Sequence, residues 1–204
     1  MKKYVYHGSP TSGLKVLEPK EAGYGKKYVY ATEKFIYAVI FANRSGRNSL
    51  QATWGQEKKF YFCEEVEGVF DKWYGNKSAS IYCLDKSLFN KIPELSSHEM
   101  VSEVAVPVEK EIKIKDIKEF FLEQEKKGKM DIIYYKDRRK MFPNDNHKIE
   151  MLISGLKKYG FEKTLERIRT LRPDLERPFL ERYNQLKNLE KSSSTENDSK
   201  DSNK

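Results

Sequence analysis

The first half of the chain reads as short runs of aromatic and β-branched residues broken by turn residues. Lys3-Tyr4-Val5-Tyr6-His7 reads as a strand closed by Gly8-Ser9-Pro10, and Lys27-Tyr28-Val29-Tyr30-Ala31 reads as a second. Thr32 stands where an N-cap belongs, and Phe35, Ala38, Val39 and Ala42 then recur at helical spacing. Further strands are predicted over 59–63, 79–84 and 100–108, with a last edge strand over 110–114. After Lys115 the period lengthens. Asp116 can cap a helix carrying Ile117, Phe120, Phe121 and Gln124, which Gly128 stops. Residues 130–135 fit strand and helix equally well. Ile149, Leu152, Leu156 and Tyr159 then form a helical stripe ending at Gly160, and Leu165, Ile168 and Leu171 form another before Pro173. Leu175, Phe179, Tyr183, Leu186 and Leu189 form a third. Strands first and helices afterwards predict an α+β fold, with a β-rich domain over 1–114 and a helical region over 115–190. Residues 191–204 hold no apolar side chain and predict a disordered tail.

Composition narrows the function classes. A chain of 204 residues makes one domain, or one with a small annex, and the 13% aromatic content argues against general disorder. No apolar run reaches the ~18–20 residues that cross a bilayer. The start, Met1-Lys2-Lys3-Tyr4-Val5, lacks the apolar stretch of a secretory signal, so a cytoplasmic protein without a membrane partner is expected. Cys63 and Cys83 lie among apolar neighbours and read as reduced core residues. His7, His98 and His147 are far apart in sequence and predict no metal site. The net charge of +8 favours anionic partners: nucleic acid, nucleotides or acidic protein surfaces.

Three segments carry candidate chemistry. Gly8 at the end of the first strand lets a ligand approach the main chain, and the adjacent His7 can bond a ligand hydroxyl. The second strand ends in Tyr30 and leads into a helix bearing Tyr37 and Phe41. An aromatic at the strand end and another about three helical turns on can bracket a flat ring, although on composition these aromatics read first as plain core. In Ser97-His98-Glu99-Met100-Val101-Ser102-Glu103, the two glutamates share parity on a strand whose other residues read as core. They mark either a site or the solvated face of an edge strand.

Together these pieces resemble the ADP-ribosyltransferase superfamily, in its His-Tyr-Glu branch, which includes poly(ADP-ribose) polymerases and diphtheria toxin. The likeness is nearest to bacterial and phage members that begin with a Tyr-His-Gly-Ser strand. Here that strand is Tyr6 to Ser9, and the family's Gly-Lys-Gly-apolar-Tyr segment is matched by Gly25-Lys26 and Tyr28-Val29-Tyr30-Ala31, with its second glycine replaced. The helix aromatic falls on Phe41, and the late glutamate on Glu99, with Glu103 as the fallback. The likeness spans residues 3–108. It implies a split antiparallel β-sheet core followed by C-terminal helices, and NAD as substrate without a metal. It further implies that Glu99 bonds the ribose 2′-OH, His7 the adenosine ribose, Gly8 the carboxamide and Ser9 the nicotinamide ribose. Tyr30 and Phe41 would stack on the nicotinamide. His7, Tyr30 and Glu99 must then meet in one cleft, and His7 and Tyr30 on opposite faces of the sheet would contradict the likeness.

The resemblance leaves three functions to weigh. The first is ADP-ribosyl transfer to a protein or nucleic-acid acceptor. The second is RNA 2′-phosphotransfer, for which Arg44 and Arg47 are the candidate phosphate ligands. The third is an inactive binding module that uses Arg167, Arg169, Arg172 and Arg177 as its surface, although those arginines read first as a solvated helix face.

Overall fold

A computed structural model describes residues 3–21, 26–43, 49–56, 59–93, 95 and 98–198. The elements in chain order are β1 (Tyr4–Ser9), β2 (Val16–Leu17), β3 (Lys20–Glu21), β4 (Lys27–Thr32), α1 (Phe35–Ala42), β5 (Ala52–Gln56), β6 (Phe60–Glu64), α2 (Val69–Tyr74), β7 (Ala79–Asp85), β8 (Glu99–Ser102), β9 (Val106–Pro107) and β10 (Lys110–Ile114). There follow α3 (Ile117–Lys126), β11 (Met130–Ile133), α4 (Arg138–Met141), α5 (Asn146–Ser154), α6 (Leu156–Tyr159), α7 (Phe161–Leu171) and α8 (Glu176–Asp198). The mixed α+β class with antiparallel sheets and C-terminal helices agrees with the hydrophobic pattern.

The chain divides into two compact units, and not at residue 114. One comprises 1–47, 54–62 and 68–132, and the other 48–53, 63–67 and 133–204. The predicted boundary fails for a packing reason. Helix α3 belongs with the first unit because Phe121 sets its ring against Phe70 and Tyr74, at 6.3 and 4.9 Å between centroids. Conversely, Leu50 joins the core of the second unit, with Ile149, Leu165, Ile168 and Phe179.

In the first unit the main sheet has the order β10-β7-β1-β4-β3, and β8 also pairs with β4. Strand alternation gives the sheet two different faces. On one face Val5, Val29, Ala31, Tyr82, Leu84 and Met100 build a core with Leu17, Phe89 and Val106. On the other, α1 lies over β1, and Tyr6 meets Phe35 edge-on at 5.3 Å. Gly8 is what permits that approach. A Cβ there would stand 2.0 Å from the Ala38 carbonyl oxygen and 3.0 Å from the Ala42 Cα. The helix backbone, rather than a ligand, therefore demands this glycine. Gly8→Ala is expected to lower stability by about 1–3 kcal/mol through overpacking, read from the denaturant midpoint. An unshifted midpoint would contradict this account of the packing.

Two element ends differ from the pattern. Thr32 closes β4 instead of capping α1, whose first residue is Phe35, and the Thr32 hydroxyl accepts the Lys34 N–H at 3.1 Å. The predicted strand over 100–108 is two short ones. After Ser102 the chain bends with Glu103 and Val104 exposed, and Val106 re-enters the core opposite Leu17. Asp116 does cap α3, accepting the Glu119 N–H at 3.0 Å.

In the second unit the helices enclose the apolar core around Leu50. A group of buried charges lies in the same unit. Glu65, 1% exposed, accepts from the Thr53 hydroxyl at 2.6 Å and pairs with Lys148 at 3.3 Å and Arg172 at 3.5 Å. Helix α8 runs on to Asp198, through part of the predicted tail. An already nucleated helix gains one hydrogen bond per added residue, which offsets the lack of apolar side chains there. Residues 199–204 lie outside the described residues. Among the described residues, no helix is long and apolar enough to cross a membrane.

Candidate active site

The site forms where two strands separate. The β1–β4 ladder holds the pair Tyr6–Thr32, whereas β1 stays paired with β7 through Ser9 and β4 stays paired with β8 from Val29 to Thr32. Past Tyr6, the side of β1 that faced β4 opens. By strict alternation His7 belongs to the face opposite Tyr6, Thr32 and Tyr30, the arrangement that the family likeness forbids. In space the two residues nevertheless meet. The His7 Nδ1 lies 2.7 Å from the Tyr30 carbonyl oxygen, across the gap where the ladder has ended. That contact is made to the Tyr30 main chain; by alternation the two side chains leave opposite faces of their strands, contrary to the expectation from the likeness, although both residues line the two cavities. A carbonyl only accepts, so His7 carries its proton on Nδ1. In the neutral ring Nε2 is then an acceptor, suited to a hydroxyl.

Two cavities open at this point. The smaller, about 30 Å³, is lined by Tyr6, His7, Gly8, Tyr30, Ala31, Thr32, Tyr37, Ala38, Phe41 and Glu99. Residues from β1, β4, α1 and β8 thus converge from distant parts of the chain. Glu99, the first residue of β8, stands opposite Thr32 in the β4–β8 register. The larger cavity, about 490 Å³, includes Ser9, Pro10, Thr11, Leu14, Val16, Glu18, Lys20, Glu21 and Tyr28 in its wall. His7, Gly8, Tyr30 and Phe41 line both.

Each predicted site residue can now be located. His7, Gly8, Tyr30, Phe41 and Glu99 share the smaller cavity, whereas Ser9 lines the larger one alone, its hydroxyl accepting the Thr11 N–H at 3.1 Å. Glu103 lines neither cavity and is exposed past the end of β8. Gly25, Arg44 and Arg47 lie outside the described residues. Tyr37, noted with Phe41 on the helix but given no role by the likeness, also lines the smaller cavity. It is buried, one helical turn before Phe41, with ring centroids 4.7 Å apart, and it also packs on Phe60 and His98 at 5.8 and 5.5 Å. The spacing of four between Tyr37 and Phe41 on one helix was the available signal. Residues 16–21, which supply much of the larger wall, form strands of two residues and leave no periodicity to detect.

Among the described residues, the charged side chains lining the two cavities are Glu99 in the smaller and Glu18, Lys20 and Glu21 in the larger. The helical arginines behave differently from a free basic surface. Arg172 is 4% exposed and pairs with Glu65, Asp145 and Asp174, so it is core rather than surface. Arg169 pairs with Glu176 at 2.7 Å. Among the described residues, no group of three or more His, Cys, Asp or Glu side chains is placed to hold a metal. No family model matches the chain, and neither a curated protein nor a solved structure matches it.

Proposed function

We propose that this chain transfers ADP-ribose from NAD to a protein or nucleic-acid acceptor. One observation carries the reading. The His, Tyr and Glu singled out by the family likeness line one cleft with Phe41, although they come from three separate segments. The larger cavity, about 490 Å³, falls in the range of small-ligand pockets and shares four wall residues with the smaller.

In this reading the nicotinamide ring lies against Tyr30 and Phe41, with Tyr37 behind Phe41. Gly8 sits past the last β1–β4 pair, where the main chain of β1 would meet the carboxamide. The bond between nicotinamide nitrogen and ribose C1′ breaks heterolytically, nicotinamide leaves with the electron pair, and positive charge grows on the ribose as in glycoside cleavage. The Glu99 carboxylate accepts from the ribose 2′-OH and stabilises that charge. An acceptor nucleophile then bonds to C1′ and releases its proton. The Nε2 of His7 accepts a hydroxyl of the adenosine ribose. Positioning and electrostatics supply the catalysis. RNA 2′-phosphotransfer draws less support, because Glu18 and Glu21 flank Lys20 where a phosphate pocket would need cations.

Calorimetric titration with NAD tests the stacking role. Tyr30→Ala is expected to weaken NAD binding about tenfold, as the loss of an aromatic contact implies. Tyr28 is 5% exposed, lines only the larger cavity and packs edge-on against Tyr30 at 5.8 Å. Tyr28→Ala should therefore affect stability more than affinity. Equal losses of affinity would make both tyrosines structural and remove the stacking role.

A further inference from the structure

The wall of the larger cavity includes Pro10, Thr11 and Leu14, which belong to the irregular segment between β1 and β2. Segments of this kind are ordinarily among the less stable parts of a fold. This one is fastened from behind. The Tyr82 hydroxyl donates to the Thr11 carbonyl at 2.8 Å and accepts the Leu14 N–H at 3.1 Å. The Glu111 carboxylate accepts the Gly13 N–H at 3.2 Å and the Ser80 hydroxyl at 2.6 Å. Neither Tyr82 nor Glu111 lines either of these two cavities. Both lie in one cross-strand row with His7, since His7 pairs with Tyr82 and Tyr82 with Glu111. Side chains in such a row share a face. The sheet thus holds His7 and the turn beyond it in a common frame.

We propose that Tyr82 and Glu111 are positioning residues, which fix the Pro10–Leu14 turn and thereby the shape of the larger cavity as the seat of the adenosine portion of NAD. The proposal rests on the NAD reading of the site. Tyr82 is fully buried, and its hydroxyl spends its hydrogen bonding on the turn rather than on the core around it. The Ser80 hydroxyl, working against a small cost of burial and helped by the Gly13 N–H, holds the Glu111 carboxyl below its usual range. Glu111 is accordingly charged at neutral pH, and a charged acceptor forms the stronger bond to the Gly13 amide.

The test uses the full chain and the variants Tyr82→Phe and Glu111→Ala. The first keeps the buried ring, and the second lies at an accessible position, so failure to fold does not obscure the result. Amide hydrogen exchange at Leu14 in Tyr82→Phe, and at Gly13 in Glu111→Ala, is expected to accelerate about tenfold or more as the turn loosens. The KM for NAD in a nicotinamide-release assay is expected to rise about tenfold, with kcat within about twofold of wild type. Glu111→Gln keeps an acceptor oxygen and should restore part of the affinity. Unchanged exchange, or faster exchange with unchanged KM, overturns the proposal. So does a fall in kcat at constant KM. If wild-type protein binds NAD without releasing nicotinamide, the catalytic reading fails and the Kd for NAD replaces KM as the decisive quantity. If NAD does not bind, both fail together.

Discussion

Glu99→Gln is expected to lower the rate of nicotinamide release about 100-fold or more, because the carboxylate acts only as positive charge develops on the ribose. Glu103→Gln is expected to leave most of the activity. The two residues share strand parity, and in an extended chain their Cα atoms would lie about 13 Å apart at ~3.3 Å per residue. The distinction comes from where β8 begins and ends. Glu99 opens the strand and lines the smaller cavity, whereas Glu103 follows Ser102 in an exposed bend outside both cavities. A loss confined to kcat would indicate stabilisation of the transition state, and a rise in KM alone would indicate ground-state binding. The reverse pattern, with Glu103 essential and Glu99 dispensable, would remove Glu99 from the chemistry.

Glu65→Gln should produce the largest loss of stability, about 3–5 kcal/mol, because it strips a buried carboxylate from two buried cations. Lys148 and Arg172 are 1% and 4% exposed, and removal of their shared acceptor leaves charge away from water. Lys148 also donates to the Ser49 carbonyl at 2.6 Å and bonds the Thr53 hydroxyl, which the variant retains. Arg172 keeps Asp145 and Asp174, which places the expected loss at the lower end of that range. Chemical denaturation measures it directly, and a loss below ~1 kcal/mol would mean that the charges had found other partners.

The same group predicts acid lability. Burial pushes the Glu65 carboxyl up, but Lys148, the Thr53 hydroxyl and His147 outweigh it and hold the group below its usual range. Asp145 is held low against its burial by Arg139 and Arg172, and Asp174 is held low chiefly by Arg172. Carboxyls depressed in the folded state add stability above their unfolded values. That contribution is lost as pH falls from about 4 through the lower, folded values. Glu65→Gln should therefore flatten the decline of stability over this acid range. An equally steep decline would assign the acid sensitivity to other carboxyls.

Local signals carried much of the site into view. His7, Gly8 and Tyr30 stand at strand ends that short aromatic and β-branched runs with flanking turn residues make visible, whereas Phe41 was implied by the family likeness. The likeness put Glu99 ahead of Glu103, and the end of β8 supplies the physical distinction that their shared parity does not. Tyr37 looked like core because a buried aromatic and a cavity aromatic have the same sequence pattern. The split itself was implied by the family likeness, not by the strand pattern, because it depends on which strand β4 pairs with after Tyr6–Thr32. Arg172 was the clearest misreading. It lies in an arginine-rich stretch that resembles a solvated face, but its burial is set by Glu65 and Asp145, 107 and 27 residues away. Long-range charge pairing of this kind leaves no trace in local periodicity.

Incubation of the purified chain with NAD, followed by chromatographic quantitation of free nicotinamide, tests the central claim most directly. With protein and nucleic-acid acceptors supplied in parallel, the account predicts nicotinamide release that depends on Glu99 and on an intact Tyr30. Intact NAD in every reaction, together with no heat of NAD binding to the wild-type chain, would contradict it.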